Sequence, residues 1–318
     1  PAAWPRATGW CVRGGFPDIP GTSVVVSNGG RTLTAQFDVR DNLMGERDLV
    51  ETNPDGQSAT LLGAFTVGQL RAAVLRVDVI GRARVRSNYP TSYELVVNND
   101  GNVDEFVVPV WLAGLPASAI VTADFPVSAP PSAPGEPDWS LAPLTLTNST
   151  GQYLGLVLPR VPPGVTTRRL LIFVPDTESG YTLRAGIVRR WGEDPAGLAA
   201  CLADHGAGVT LPCFADQLVE FEAYAREHPE LEALSASAVW AREAWRCEGA
   251  GNLGQALAKA QQIEDVLVAG VENPALLTAS CSEVTGPRWR FEEPVEVVGA
   301  VDPNDIAGNT TELPQTST

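Results

Sequence analysis

Residues Thr52 to Val67 read TNPDGQSATLLGAFTV, and this stretch sets the fold class. Asn53-Pro54-Asp55-Gly56 is a turn: proline presets φ at about −65°, and glycine accepts the positive φ that the following position needs. The chain then returns as a short apolar strand ending at Phe65 and Val67. Upstream, Asn28-Gly29-Gly30 is a hairpin signal between two more β segments. Strands are therefore expected at residues 23–27, 33–39, 48–52 and 59–67. The stretch around Trp4, Trp10 and Cys11 has no clear period and reads as a lead-in.

Outward from that hairpin the β texture continues. Arg82-Ala83-Arg84-Val85-Arg86 alternates polar and apolar, as a half-exposed strand does. Tyr93-Glu94-Leu95-Val96-Val97 runs into the turn cluster Asn98-Asn99-Asp100-Gly101-Asn102 and out through residues 106–111. Strands at 144–147, 153–158, 169–174 and 181–187 follow at the spacing of a β-sandwich. Residues 129–137 are too rich in proline to pair inside a sheet and read as a loop or strap.

At Trp191 the period shifts from 2 to 3.6. Leu218, Phe221 and Ala225 fall on one helix face, with Glu222 and Arg226 placed for an i,i+4 pair on another. Residues 231–247 and 253–269 read as further helices, the second capped by Asn252. Residues 289–301 regain a strand-like pattern before the chain turns to Asn, Thr, Pro and Ser. The expected division is 1–68, 69–190, 191–286 and 287–318.

The 318 residues are 44% hydrophobic, enough to build cores, and no window approaches the ~20 apolar residues of a membrane span. A first residue of Pro1 is expected of a processed or excerpted chain. A net charge of −16 excludes a phosphate-tracking nucleic-acid binder, which needs clustered cations. Lys259 is the only lysine, so a Lys–Asn isopeptide cross-link has no lysine in the β region. Cys201, Cys213, Cys247 and Cys281 lie in the last third, too far apart for zinc pairs. Two disulfides in an oxidising compartment fit them. Of the three pairings the sequence-local one is Cys201–Cys213 with Cys247–Cys281; the alternative is a set of buried thiols. Cys11 is the odd cysteine, a candidate intermolecular link.

The hairpin at 52–67, with its T-N-P-D-G turn before a last strand, resembles the end of an IPT/TIG immunoglobulin-like module. Tyr93 to Asp104 followed by Val108-Pro109-Val110-Trp111 resembles an "N-x-G-N-x-D…VPLW" β-module of large secreted bacterial proteins. Residues 169–185 resemble its continuation, and Asp302-Pro303-Asn304-Asp305-Ile306 its linker. Glu105 departs from that pattern, which favours alanine there. These resemblances cover about two thirds of the chain and imply a cell-surface or secreted architecture with no assigned chemistry.

Several constellations need weighing. Asp100, Asn102, Asp104 and Glu105 offer alternating oxygens suited to Ca2+, although Glu105 occupies the place where the EF-hand order requires glycine; the alternative is a solvated turn. Gly249-Ala250-Gly251-Asn252-Leu253-Gly254 matches the dinucleotide string, but a helix precedes it where a strand is needed. It reads instead as a helix C-cap at Gly249 and an N-cap at Asn252. His205 and His228 have no nucleophile elbow or zincin helix to serve. Asp302-Pro303 and Leu313-Pro314-Gln315-Thr316-Ser317 read as a linker and as a chance near-match to a sorting signal.

The reading is a mainly β chain with an α-helical unit: tandem Ig-like β-sandwiches followed by a disulfide-stapled helical bundle. Its expected work is non-enzymatic and extracellular: a stalk, filament or surface-layer subunit acting through protein–protein contacts, self-assembly included. A second reading is an adhesin in which Trp111 and Trp139 grip a glycan or partner. A third is a hydrolase that depends on His205.

Overall fold

The computed structural model describes residues 9–13, 18–27, 31–39, 43–52, 56–175, 180–273, 275, 277–285, 287 and 289–298. The expected turn at 53–55 and the segments at 302–306 and 313–317 lie outside the described residues. The chain forms two compact units, Pro1–Arg71 and Ala72–Thr318.

The first unit holds β1 (Gly9–Arg13), β2 (Ile19–Ser27), β3 (Thr32–Phe37), β4 (Gly45–Thr52) and β5 (Ser58–Val67). They form one hydrogen-bonded path, β3-β2-β1-β4-β5, in which every pair is antiparallel. The opening stretch is the β4–β5 hairpin, closed at Thr52 opposite Ser58, with Gly56 at φ +84°. A bulge between Arg47 and Leu49 is met by Gly63 at φ +58°, whose N–H donates to Asp48 Oδ1 at 2.8 Å. The sheet coils until Phe37 and Phe65, from its opposite end strands, meet at 6.4 Å between ring centroids. β5 ends the sheet with Leu61 and Leu62 exposed.

The second unit is mainly β with several helices and two disulfides. Its strands are β6 (Leu75–Ile80), β7 (Arg84–Arg86), β8 (Thr91–Asn99), β9 (Glu105–Leu115), β10 (Ile120–Ala123), β11 (Val127–Ser128), β12 (Thr145–Asn148), β13 (Gly151–Val161), β14 (Gly164–Phe173) and β15 (Gly180–Ile187). Then come α1 (Pro195–Asp204), α2 (Cys213–Glu227), β16 (Ala233–Ser235), α3 (Ala236–Glu248), α4 (Leu253–Glu272), α5 (Ala279–Thr285) and β17 (Trp289–Val298). One sheet runs β10-β14-β8-β6. The other has eight strands, β11-β16-β13-β9-β15-β17-β7, with β12 added to β13.

The eight-stranded sheet is a middle layer. On β9, Val108, Val110, Leu112 and Leu115 join Val77, Leu95 and Leu170 of the four-stranded sheet in one core. The alternate residues Val107, Trp111 and Ala113 join Leu218, Trp240 and Leu267 of the helices in the other. β13 divides the same way, Leu154 and Leu156 to one side and Tyr153 and Val157 to the other. Strands with both faces covered lose the alternating pattern and become continuously apolar, as Val107–Ala113 is. Gly186 is required on β15 because a side chain there would collide with Val271 of α4.

The helices and β17 thus belong to the same compact unit as both sheets. β17, expected as a strand-like return, pairs antiparallel with β15 and parallel with β7. Leu218, Phe221 and Ala225 are buried as their spacing predicts, Gly249 ends α3 at φ +69°, and Asn252 caps α4 by accepting from Gln255 N at 2.9 Å. The helix expected at 231–247 starts later. Residues 233–235 form β16 instead, because Ser235 accepts from Ala238 N and fixes the α3 N-terminus after itself. The expected Glu222–Arg226 pair does not form: Glu222 meets Arg190 at 3.3 Å, and Arg226 lies over the Phe106 ring.

The sequence-local disulfide pairing is corrected. Cys201 on α1 bonds Cys281 on α5, and Cys213 at the start of α2 bonds Cys247 near the end of α3. Helix packing decides it, since α1 lies against α5 and α2 against α3.

Candidate functional site

The expected calcium ligands do not converge. Asp100 Oδ2 meets Arg76 Nε at 3.0 Å, and Asp104 Oδ2 meets Arg160 Nε at 2.8 Å. Glu105 opens β9 opposite Val161. Asn102 sits in the turn between, whose backbone is organised by Asn99: its Oδ1 accepts from Gly101 N and its Nδ2 donates to the Val103 and Val161 carbonyls. Asp100 and Asp104 are each neutralised by a guanidinium of their own. Among the described residues no group of three or more His, Cys, Asp and Glu is placed to hold a metal.

Trp111 and Trp139 are both fully buried, Trp111 within the core and Trp139 beneath the wall of the cavity between β10 and β11 described below. Trp111 packs on Trp191, which packs in turn on Trp240, at centroid distances of 6.0 and 4.5 Å. Its Nε1 donates to Glu264 Oε2 at 3.3 Å. Trp139 Nε1 donates to Glu136 Oε2 at 3.1 Å. With no solvent face and no cavity beside it among those described, Trp111 can grip no partner, whereas Trp139 supports the groove wall. Cys11 lies in β1 opposite Pro20 and Val50, and its side chain is outside the described residues. His205 is the C-cap residue of α1, and His228 pairs with Glu230 at 2.8 Å.

Two acids that sequence reasoning passed over are deeply buried. Glu264 on α4 is enclosed against the sheet, above Gly155; a side chain at 155 would strike its carboxylate and Ala236. Burial pushes its carboxyl up to about 8, with the nearby Asp265 adding to the rise and the Trp111 hydrogen bond opposing it. Burial likewise pushes Glu243 on α3 up to about 8, against the pull of Arg242 and Arg246. Tyr153 OH donates to Asp265 Oδ1 at 2.9 Å. Glu264 follows Ala260 by four residues, so an acid in the apolar stripe of α4 was the signal available. Enclosed on every side, it can reach no substrate.

Glu136 pins the proline-rich strap. Its carboxylate accepts from Ala133 N, Trp139 Nε1 and Arg246 Nε, the last at 2.6 Å. Burial alone would raise this carboxyl, yet those hydrogen bonds and the Arg246 charge hold it below the ordinary range. Arg246 also reaches Glu220, which receives Arg242 at 2.8 Å. The strap is thereby clamped to α2 and α3.

An accessible groove lies beside that strap. A cavity of about 350 Å³ runs between β10 and β11, lined by Val121, Ala123, Phe125, Val127 and Leu144 with the hydroxyls of Thr122, Ser128 and Ser140. β10 ends the four-stranded sheet and β11 ends the eight-stranded one, so two sheet edges border the same groove. Asp124 N donates to Arg169 O, which puts Ile120 and Thr122 in the hydrogen-bonded phase with β14. Antiparallel geometry then turns the N–H and C=O of Val121 and Ala123 outward, unpaired within the sheet. Chemically the groove offers backbone donors and acceptors in strand spacing above an apolar floor.

No family model matches the chain, and no curated protein sequence matches it. Among solved structures it is similar to one titled "AvmM Catalyzes Macrocyclization in Alchivemycin A Biosynthesis". That likeness has 10% identity over 36% of this chain and 73% of the other, at a TM-score of 0.21, too slight to bear on fold or function.

Proposed function

We propose that this chain is a non-enzymatic structural component of a bacterial cell-surface or extracellular assembly, joined to its neighbours by strand addition. The observation that carries the reading is the groove between β10 and β11, with the outward backbone of Val121 and Ala123 along it. An added strand gains main-chain hydrogen bonds from such an edge and side-chain specificity from the apolar floor. The donor this reading implies is β5 of another copy, an end strand with Leu61 and Leu62 exposed. Donor and acceptor are then different surfaces, and head-to-tail contacts of that kind build open filaments.

The setting agrees with this reading. Two disulfides suit an oxidising compartment, and no helix among the described residues is long and apolar enough to cross a membrane. We read the second unit as an Ig-like sandwich with helices laid on its outer face, a reading supported by the two sheets sharing one core. The IPT/TIG-type reading of residues 1–68 is supported by the β4–β5 hairpin.

Val121→Pro tests the proposal. It removes an N–H that the β10–β14 pairing does not use, so the fold is retained. Light scattering and negative-stain microscopy are expected to show concentration-dependent oligomers for the unmodified chain. Association should weaken about tenfold in Val121→Pro, the loss of one buried hydrogen bond and a close approach. A chain that stays monomeric at every concentration sinks the reading, as does a Val121→Pro variant that assembles normally.

A further inference from the structure

In a chain of net charge −16, one cavity is lined by three arginines and no carboxylate. It measures about 250 Å³ and lies on β7 and the turn that follows, with Arg82, Arg84, Arg86, Tyr89, Thr91 and Ser92 in its wall. Arg84 and Arg86 project from one face of β7, because residues two apart in a strand share a face, while Val85 between them is buried in the core. Arg82 opens on the same cavity two residues earlier.

The frame under these side chains is fixed. Tyr93 OH donates to the Arg82 carbonyl at 3.1 Å, and Gly81 leaves room for the Tyr93 ring. β7 is held in register with β17, Arg84 opposite Glu296 and Arg86 opposite Val298. The turn is tied on both sides, Ser87 N to Val298 O and Asn88 N to Val174 O, each at 2.8 Å. Asn88 takes the left-handed backbone at φ +56°, which asparagine tolerates better than most residues. Among the described residues the Arg82 guanidinium has no partner. Arg84 meets Glu296 at 3.3 Å, but both side chains are largely exposed, so an incoming anion displaces that pair at little cost.

We propose that this cavity binds an acidic sugar unit, a single pyranose ring carrying a carboxylate or a phosphate. The guanidinium fork matches either oxyanion in a bidentate fashion. Tyr89, 62% exposed, offers a ring face for the apolar side of the pyranose, and Thr91 and Ser92 offer hydroxyls for its own. The inference stands apart from strand addition, which uses another edge.

Titration calorimetry on the whole chain with D-glucuronate, glucose 6-phosphate, glucose and inorganic phosphate is the test. At least one acidic sugar is expected to bind, more weakly as salt is added, with glucose silent and inorganic phosphate at least about tenfold weaker. Which acid binds better distinguishes a uronate source from a sugar-phosphate source. Arg82→Ala and Tyr89→Ala should each weaken binding about tenfold, and unchanged melting temperatures of these exposed-site variants verify that they fold. The proposal is overturned if neither acidic sugar binds, if glucose or phosphate binds equally well, or if both variants bind as the parent does. In that outcome the arginines serve only to guard an edge strand.

Discussion

A chain with Cys201 and Cys281 both replaced by alanine is expected to lose about 4.5 kcal/mol of unfolding free energy, and one lacking Cys213 and Cys247 about 3.8 kcal/mol. The figures follow from the loops closed, with sequence separations of 80 and 34. A longer tether restricts the unfolded chain more, so its loss costs more. The longer bridge also holds α5, only seven residues long, against α1. Isolated helices of that length do not persist in water, so the bridge and the burial of Cys281 and Thr285 supply what the helix lacks. Denaturant unfolding of the two double variants measures both values. Equal losses, or a larger loss from the shorter loop, would show that the native helical layer rather than the unfolded chain sets the effect.

Between about pH 4.3 and 8 the second large effect develops. Glu243 and Glu264 have carboxyls pushed up to about 8 in the folded chain, whereas each titrates at about 4.3 when unfolded. Between those values the folded state keeps protons that the unfolded state has released, so stability falls as pH rises. The contribution is fully present below about pH 4.3 and lost as pH rises through about 8, on the order of 4–5 kcal/mol for each carboxyl. Glu264→Gln keeps the shape and an acceptor for Trp111 while removing the ionisation. Its melting temperature should exceed that of the parent at about pH 9 and match it near pH 4. Glu136 and Glu220 act in the opposite sense. Burial disfavours their charge, but hydrogen bonds and arginines hold both carboxyls low, so their stabilisation is lost on acidification. From these four carboxyls, greatest stability is therefore expected between about pH 4 and 5, with a steady fall from there to about pH 8. A Glu264→Gln chain no more stable than the parent in alkali would overturn this account.

Much of the secondary structure was legible, because local chemistry wrote it. The β4–β5 hairpin, the buried face of α2 and the caps at Gly249 and Asn252 each depend on residues within a few positions. What was not legible depends on partners far along the chain. β16 is three residues long, and its strand identity comes from β13 and β11 rather than from its own period. The disulfide pairing required knowing which helices touch. Asp104 looked like an ion ligand until Arg160, 56 residues away, closed on it. Trp111 suited a binding surface or a core equally well by type. The apolar run on both sides of it could have decided the matter, since a strand without alternation is covered on both faces.

The pairing of β7 with β17 has a consequence for how the chain is made. Arg84 and Glu296 are 212 residues apart. At ribosomal rates of about 5–20 residues per second, β7 emerges ~10–40 s before the strand that completes its sheet. From the moment β15 emerges, about halfway through that interval, it has β9 on one side and an open edge on the other, because β17 is its second neighbour. Loop-closure entropy must be met before this contact gives anything back. The second unit therefore reaches its native sheet only after almost the whole described chain has been synthesised, and until then its central strands need shelter from other unpaired edges.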